Sequence, residues 1–233
     1  MIVIETKNLH KVYDETKVPV KAVNGIDIKF EEGEFTAVVG PSGSGKTTFL
    51  NMVGGLDSPS EGEVIINSTK ISELSSKKLI DFRLHNIGFV FQSFNLIPVL
   101  TAIENVEFIM LLQKKPKVER EKRAIELLRS VGLEDKLYQR PGELSGGQQQ
   151  RVSVARALAS KPRFILADEP TANLDSKSTE NLLNIMEKLN KEEKITFIFS
   201  THDARVVKKA RRVITVEDGK VISDEKFSAI GTE

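Results

Sequence analysis

The chain has 233 residues, of which 39 % are hydrophobic and 29 % charged, so it fits one large domain or two small ones with a packed core. Its formal net charge of +1 gives no broad attraction to DNA or anionic lipid. The absence of cysteine excludes disulfides and thiolate metal sites. The longest apolar run, at 108–112, is far shorter than the ~20 residues that span a bilayer.

The beginning of the chain predicts an antiparallel sheet. In IDIKF, at 26–30, apolar and charged side chains alternate, which is typical of a half-buried strand. The segments VIETKNL and VPVKAV precede it and complete the expected sheet. Glu5 and Lys7 interrupt the first apolar residues, so we expect no signal peptide there.

Four later apolar runs predict a second kind of sheet. They are FTAVV (35–39), IGFVF (87–91), FILAD (164–168) and TFIFS (196–200). Nearly continuous apolar strands of this kind belong to a parallel sheet that is covered on both faces. Because helical patterns separate the runs, the sequence predicts an α/β fold.

Two segments show helical periodicity. The apolar positions are Leu182, Ile185, Met186 and Leu189 in the first segment, and Ile125, Leu128 and Val131 in the second. Asp175 or Ser176 can cap the first helix, and Gly132 suits the end of the second. The segment from about Ser93 to Ser160 has no clear strand, and we interpret it as a helical insertion between two core strands.

The stretch VVGPSGSGKTT, at 38–48, matches the phosphate-binding pattern G-x-x-x-x-G-K-[ST]. Its glycines let backbone N–H groups curl around phosphate oxygens, and the following helix points its N-terminus at the same charge. Lys46 is expected to reach the β- and γ-phosphates, and the Thr47 hydroxyl is expected to bind Mg²⁺. The predicted nucleotide contacts in this loop are Gly40, Pro41, Ser42, Gly43, Ser44, Gly45, Lys46, Thr47 and Thr48.

An acidic pair follows the apolar strand in FILADEP, at 164–170. The strand delivers Asp168 to its carboxyl end, where ligands bind in α/β folds. Beside a phosphate loop, Asp168 is expected to hold Mg²⁺ directly or through water. Glu169 is expected to orient the attacking water or to take its proton. The alternative is an ordinary strand that ends in a solvated acidic turn.

The segment ELSGGQQQRVSVARAL, at 143–158, contains a second candidate anion site. Ser145, Gly146 and Gly147 can form a nest of N–H groups ahead of a helix that starts near Gln148. One chain with one phosphate loop has no use for a second γ-phosphate site, but in a dimer each nest could close on the nucleotide of the other subunit. The alternative is an ordinary glycine-rich helix start. The packed side of the helix is expected to carry Val152, Ala155 and Ala159.

With LSGGQ lying between GPSGSGKTT and ILADEP, the chain resembles the nucleotide-binding domain of ABC transporters over essentially its whole length. The resemblance implies that Tyr13 in HKVYD stacks on adenine. It makes Gln92 in FVFQSF the Q-loop glutamine, Asp175 in ANLD the D-loop residue and His202 in STHD the switch histidine. Without the resemblance, Tyr13 could pack in a turn, Gln92 could be a surface amide and His202 an ordinary capped or half-buried side chain.

The resemblance implies a P-loop NTPase of the ABC type: an α/β fold with a mainly parallel core sheet, an N-terminal antiparallel β subdomain and an inserted α-helical subdomain. Residues 1–233 would be one domain, with 1–92 and 161–233 as catalytic core and about 93–160 as helical subdomain. It implies ATP and Mg²⁺ as cofactors and a homodimer that forms on ATP binding. The implied catalytic residues are Glu169, His202, Lys46 and Gln92. The implied metal ligands are Thr47, Gln92 and Asp168, and Ser145, Gly146, Gly147, Gln148 and Asp175 join the nucleotide contacts.

A narrower resemblance, carried by 21–35, 52–64 and 87–106, is to the subgroup with the LolD, MacB and FtsE ATPases. It implies a separately encoded transmembrane permease, a cytoplasmic location on the inner face of the membrane, and lipoprotein release or macrolide and peptide export. The alternative is a mechanical regulator of the cell-division type, without solute transport. A chromosome or repair ATPase is disfavoured, because no coiled-coil heptads separate Thr48 from Leu144, and no nucleic acid partner is expected.

Overall fold

The computed structural model describes residues 1–14 and 18–227. In this part of the chain the strands are β1 (Ile2–Tyr13), β2 (Val20–Glu31), β3 (Phe35–Val39), β4 (Glu61–Ile66), β5 (Thr69–Lys70), β6 (Ile87–Phe91), β7 (Phe164–Asp168), β8 (Thr196–Ser200), β9 (Arg212–Glu217) and β10 (Lys220–Lys226). The α-helices are α1 (Lys46–Val53), α2 (Ser76–Asn86), α3 (Ala102–Leu112), α4 (Lys117–Ser130), α5 (Gly146–Ala159), α6 (Ser176–Glu193) and α7 (Ala204–Lys209).

Two sheets form the core. One is antiparallel, with the order β2-β1-β4-β5, and the other has the order β10-β9-β3-β8-β7-β6. In the second sheet β9, β3, β8, β7 and β6 run parallel, and β10 adds an antiparallel edge. The predicted α/β fold with a mainly parallel core sheet and an N-terminal antiparallel sheet is therefore confirmed.

The four apolar runs form strands because both of their faces are buried. Successive side chains enter different cores: Phe197 and Phe199 of β8 pack with the helices α3 to α6, whereas Ile198 packs with α1 and the antiparallel sheet. All three side chains are fully buried. Because successive side chains point to opposite faces and both faces are covered, nearly every position of such a strand is apolar.

The segment 93–160 contains α3, α4 and α5 and has no strand, as the sequence predicted. The buried side of α4 corrects one detail: Ala124, Leu127 and Leu128 are buried, whereas Ile125 is only partly buried. The predicted end of this helix holds, since Gly132 adopts a left-handed φ of 68°. Whether 93–160 is a separate subdomain stays a prediction.

The start of α5 differs from the prediction by two residues. The helix begins at Gly146 rather than near Gln148, because Ser145 caps it. The Ser145 hydroxyl accepts from Gln148 N at 3.3 Å, and Ser145 N donates to the Gln148 side chain at 2.8 Å. This reciprocal pair is a capping box, which satisfies two backbone donors at the helix start. The predicted packed side, Val152, Ala155 and Ala159, is buried.

The fold brings the carboxyl ends of four strands, and the residues that follow them, to one edge of the parallel sheet. The strands β3, β6, β7 and β8 lead at their carboxyl ends into the phosphate loop, Gln92, Glu169 and the Thr201–His202 pair. Ligands of open parallel sheets bind at this edge. In residues 1–14 and 18–227, no helix has the length and apolarity that a bilayer span requires.

Candidate active site

The phosphate loop between β3 and α1 lies so close to other backbone that two of its glycines cannot carry a side chain. A Cβ at Gly40 would lie 2.0 Å from Val216 O, and one at Gly45 would lie 2.0 Å from Ala22 O. Their φ angles of 150° and 99° are also in the range that favours glycine. The glycines of the motif are therefore required by close approach as well as by the turn.

The Lys46 side chain lies inside this loop and is only 8 % exposed. Its ammonium donates to Gly40 O and Pro41 O, each at 2.8 Å. These bonds hold the ammonium beside two backbone carbonyls of the loop. Such an arrangement suits a phosphate, whose oxygens accept charge-assisted hydrogen bonds.

Thr47 and Asp168 bring two oxygen ligands together from distant parts of the chain. The Thr47 hydroxyl donates to the Asp168 carboxylate at 3.0 Å. Hydroxyl and carboxylate oxygens are the ligands that Mg²⁺ prefers, and this ion usually keeps waters and substrate phosphates as its other ligands. Among the described residues no cluster of three or more His, Asp or Glu could hold a metal alone. The pair therefore fits a magnesium ion that arrives with a nucleotide.

Glu169 and His202 form a hydrogen-bonded pair beside the loop. Nδ1 of His202 lies 2.7 Å from one Glu169 oxygen, and the Thr201 hydroxyl donates to the other at 3.3 Å. The backbone of Glu169 has a φ of 45°, which is uncommon for a residue with a side chain, and its N–H donates to Ser200 O at 2.8 Å. Strained backbone of this kind is retained where the surrounding structure imposes it, often at functional sites.

A cleft of about 940 Å³ joins these groups. It is lined by the whole phosphate loop together with Gln92, Glu169 and His202, and by the start of β2. Asp168 reaches this site through its bond to Thr47 and does not itself line the cleft. The volume of the cleft is in the range of small-molecule sites. The other histidines, His10 and His85, make local hydrogen bonds with Asn8 and Asp81 and do not line it.

Tyr13 lies at the end of β1, where it pairs with Val20, a residue that lines the cleft. Its ring is 37 % exposed, and its hydroxyl donates to Asp57 at 2.7 Å. The Lys11 ammonium lies 4.9 Å from the ring centroid and donates to the same carboxylate at 2.6 Å. Partial burial and the bond to Asp57 raise the pKa of Tyr13, so the phenol stays neutral near pH 7. Tyr13 is therefore held beside Val20, although it does not itself line the cleft.

The remaining predicted nucleotide contacts lie elsewhere. Ser145, Gly146, Gly147 and Gln148 form the start of α5 and do not line the cleft. Asp175 is also outside it and caps α6 by accepting from Ser178 N at 2.9 Å and from its hydroxyl at 2.7 Å. These bonds, the hydroxyl bond first, lower the pKa of Asp175. The predicted residues thus fall on two separate surfaces of one chain.

Sequence reasoning missed part of the cleft wall. Asp218 and Gly219 line it, and Gly219 N donates to Ser44 O at 3.0 Å. The dipeptide is a typical hairpin turn signal, which could have predicted the turn between β9 and β10. It could not have predicted that this turn lies against the phosphate loop.

Comparisons with known proteins agree on the family. A model of the ABC transporter family matches residues 23–172. An uncharacterized ABC transporter ATP-binding protein of Thermotoga maritima is 46 % identical over 228 residues, which cover 98 % of this chain and 97 % of that protein. The uncharacterized ABC transporter ATP-binding protein MJ0796 of Methanocaldococcus jannaschii is also 46 % identical, with 96 % and 97 % covered.

Two solved structures of MJ0796 are similar to this fold. Both are described as dimeric, and one is a post-hydrolysis state bound to ADP and Pi. Their TM-scores are 0.89 and 0.90 at 44 % identity, and each comparison covers 97 % of this chain and 100 % of the other. From its motifs, its cleft and these relatives, the chain belongs to the ABC transporter family, in which it is an ATP-binding subunit.

Proposed function

We propose that this chain hydrolyses ATP in a head-to-tail dimer and that hydrolysis drives a separately encoded membrane permease. The observation that carries the ATPase proposal is that Lys46, Thr47 and the Glu169–His202 pair line one cleft, with Asp168 bonded to Thr47 at its wall. Each of these groups meets one requirement of phosphoryl transfer, which depends mainly on positioning and charge stabilisation.

The roles follow from chemistry and position. The loop N–H groups and Lys46 would bind the β- and γ-phosphates, and Glu169 would orient the attacking water or take its proton. His202 would contact the γ-phosphate through Nε2, the ring nitrogen that does not bond Glu169. Thr47, Asp168 and Gln92 would hold Mg²⁺, which supplies positive charge to the phosphate oxygens when bound.

The dimer proposal rests on the two separate surfaces of the chain. In the Ser145 nest, Ser145 is exposed and the two glycines are half-buried, and none of the three lines the cleft of its own chain. Both solved structures of MJ0796 are dimeric. In a head-to-tail dimer the nest of one subunit would close on the ATP that the Lys46 loop of the other holds, so two ATP molecules would lie at the interface.

An apolar groove supports the permease proposal. It encloses about 620 Å³, and its lining includes Leu56, Ile80, Leu84, Phe89, Ile109 and Leu112. Leu56, Ile80 and Leu112 are exposed large hydrophobic side chains, which in a group mark a protein or membrane contact. Asn95 and Arg156 also line the groove, so a permease segment bound there would touch the loop that follows Gln92.

The permease is proposed to be of the lipoprotein-release or macrolide and peptide export type. Co-expression with a transmembrane permease of this type should retain the chain on membranes. Solute movement by the reconstituted pair would distinguish a transporter from a mechanical regulator of the cell-division type, which would hydrolyse ATP without moving a solute.

Lys46→Ala tests the ATPase proposal. The substitution removes a charge-assisted contact of ~1.5–3 kcal/mol, so ATP should bind about 10- to 100-fold more weakly and phosphate release should fall with it. Isothermal titration and a phosphate-release assay measure both. Lys77→Ala, at an exposed position of α2, is the matched control and should behave like the parent. An unchanged ATP affinity in Lys46→Ala would exclude the phosphate role.

Tyr13→Ala tests the proposed stacking on adenine. Base stacking on an aromatic ring contributes ~1–3 kcal/mol, so ATP affinity should fall about tenfold. The affinity for inorganic triphosphate, which has no base, should stay the same. The chain's second tyrosine, Tyr138, is exposed and lies outside the cleft, so Tyr138→Ala is the control. An equal loss for ATP and triphosphate would argue against stacking.

A further inference from the structure

The Gln150 side chain connects α5 to the two backbone segments that carry Gln92 and Glu169. It is fully buried, and its amide nitrogen donates to Phe91 O at 3.3 Å and to Pro170 O at 2.6 Å. Phe91 ends β6 directly before Gln92, and Pro170 directly follows Glu169. One side-chain amide therefore bridges the backbone on which two groups of the cleft stand.

This bridge is well placed to set the geometry of the site. The strands β6 and β7 are hydrogen-bonded neighbours up to the pair Phe91 and Asp168, after which the two chains leave the sheet. Beyond that point the ladder no longer fixes their spacing, and Gln150 supplies a hydrogen bond to each. A catalytic group that is misplaced by about 1 Å can lose about 100-fold in rate, so such a constraint matters for the reaction.

Gln150 also lies on the helix that carries the nest. It is five residues after Ser145, the N-cap of α5. The same helix contributes Arg156, which donates to Phe94 O at 2.9 Å and Asn95 O at 2.5 Å in the loop after Gln92. The helix α5 is therefore hydrogen-bonded to the backbone beside Gln92 and, through Gln150, to the backbone beside Glu169.

The choice of residue itself points to positioning. The Gln150 side-chain oxygen is buried and has no hydrogen-bond partner among the described residues. A buried acceptor without a partner lowers stability, so an apolar side chain would serve better if the position only filled space. What glutamine adds is its reach to two carbonyl groups at once.

We propose that Gln150 is a positioning residue for ATP hydrolysis, an inference that rests on the proposed function. It holds Glu169 and Gln92 in register with each other and with the N-terminus of α5, without touching the nucleotide. When the nest of α5 binds the nucleotide of the partner subunit, the movement of the helix reaches the cleft of its own chain through this amide.

The test replaces Gln150 by methionine, which has a similar length but cannot donate a hydrogen bond. Gln150→Met should lower kcat about 10- to 100-fold and leave the affinity for ATP within about twofold of the parent. Gln149→Met is the matched control, because Gln149 is the neighbouring glutamine on α5 and its amide bonds only Leu144 O, at 3.0 Å, in the described hydrogen bonds. It should keep the parent kcat.

Retained ATP binding and a thermal melt verify that the variant is folded. If Gln150→Met does not fold, Gln150→Asn takes its place in the same test, because it keeps an amide but shortens its reach by one methylene. It should lower kcat in the same way. A parent kcat in the folded variant would overturn the inference, and so would an affinity that falls in proportion to kcat. A parent chain without ATPase activity would instead contradict the proposed function.

Discussion

Glu169→Gln is expected to bind ATP like the parent, to lose most of its turnover and to accumulate as an ATP-bound dimer. The amide has the shape of the carboxylate but cannot take a proton, and loss of a general base costs about 10²- to 10⁴-fold. The fold should survive, because the amide can still accept from the Thr201 hydroxyl and contact His202. Phosphate release and gel filtration with and without ATP measure the two effects.

Glu180→Gln provides the matched control for this experiment. Glu180 is an exposed glutamate on α6, outside the cleft, so the same chemical change there should leave turnover and dimerisation unaltered. Unchanged turnover in Glu169→Gln would remove Glu169 from the mechanism. A variant that stays monomeric in saturating ATP would count against a nucleotide bound between two subunits.

Four of the six strands of the mainly parallel sheet could be predicted from the sequence, and β9 and β10 were missed. The runs at 35–39, 87–91, 164–168 and 196–200 coincide with β3, β6, β7 and β8. In an α/β fold a short continuous apolar run indicates a strand that is buried on both faces of the sheet. The boundaries of helices were less accurate. The capping box of Ser145 moves the start of α5 to Gly146, and the buried face of α4 carries Ala124, Leu127 and Leu128 instead of the predicted Ile125.

The site was predictable only where its chemistry is local in sequence. The phosphate loop and the Asp168–Glu169 pair each lie at the end of an apolar strand, and each can be recognised from a short stretch of sequence. Gln92 and His202 were found through the family resemblance, and they do line the cleft. No local pattern marks Asp57, which bonds Tyr13 across 44 positions, because that contact exists only after the antiparallel sheet and the loop after α1 have formed.

Mixing two inactive variants, Lys46→Ala and Ser145→Arg, is expected to restore ATPase activity. The first damages the phosphate loop of its own chain, and the second fills the nest with a bulky side chain at the exposed position 145. In a head-to-tail dimer, a mixed pair has one site with both lesions and one site with neither. The intact site combines Lys46 of the Ser145→Arg chain with Ser145 of the Lys46→Ala chain.

The size of the recovery follows from the symmetry of the dimer. With random pairing, half of the dimers are mixed and half of their sites are intact, so about a quarter of the parent activity should return if one intact site can act alone. The loss of the helix cap needs its own control, because Ser145 also accepts from Gln148 N. Loss of an N-cap side chain destabilises a helix by ~0.5–2 kcal/mol. Ser145→Ala removes that cap without filling the nest, so its thermal melt isolates the structural part of the effect.

Crosslinking establishes whether mixed dimers form, and this decides how the result is interpreted. If nests act within their own chain, every site in the mixture carries a lesion and activity stays at the level of the separate variants. Absence of recovery with crosslinked mixed dimers present would therefore contradict either the trans geometry or the independence of the two sites. Recovery of activity requires the trans geometry and independent sites. In a mixed dimer, an undamaged loop and an undamaged nest come together only across the interface between the two subunits.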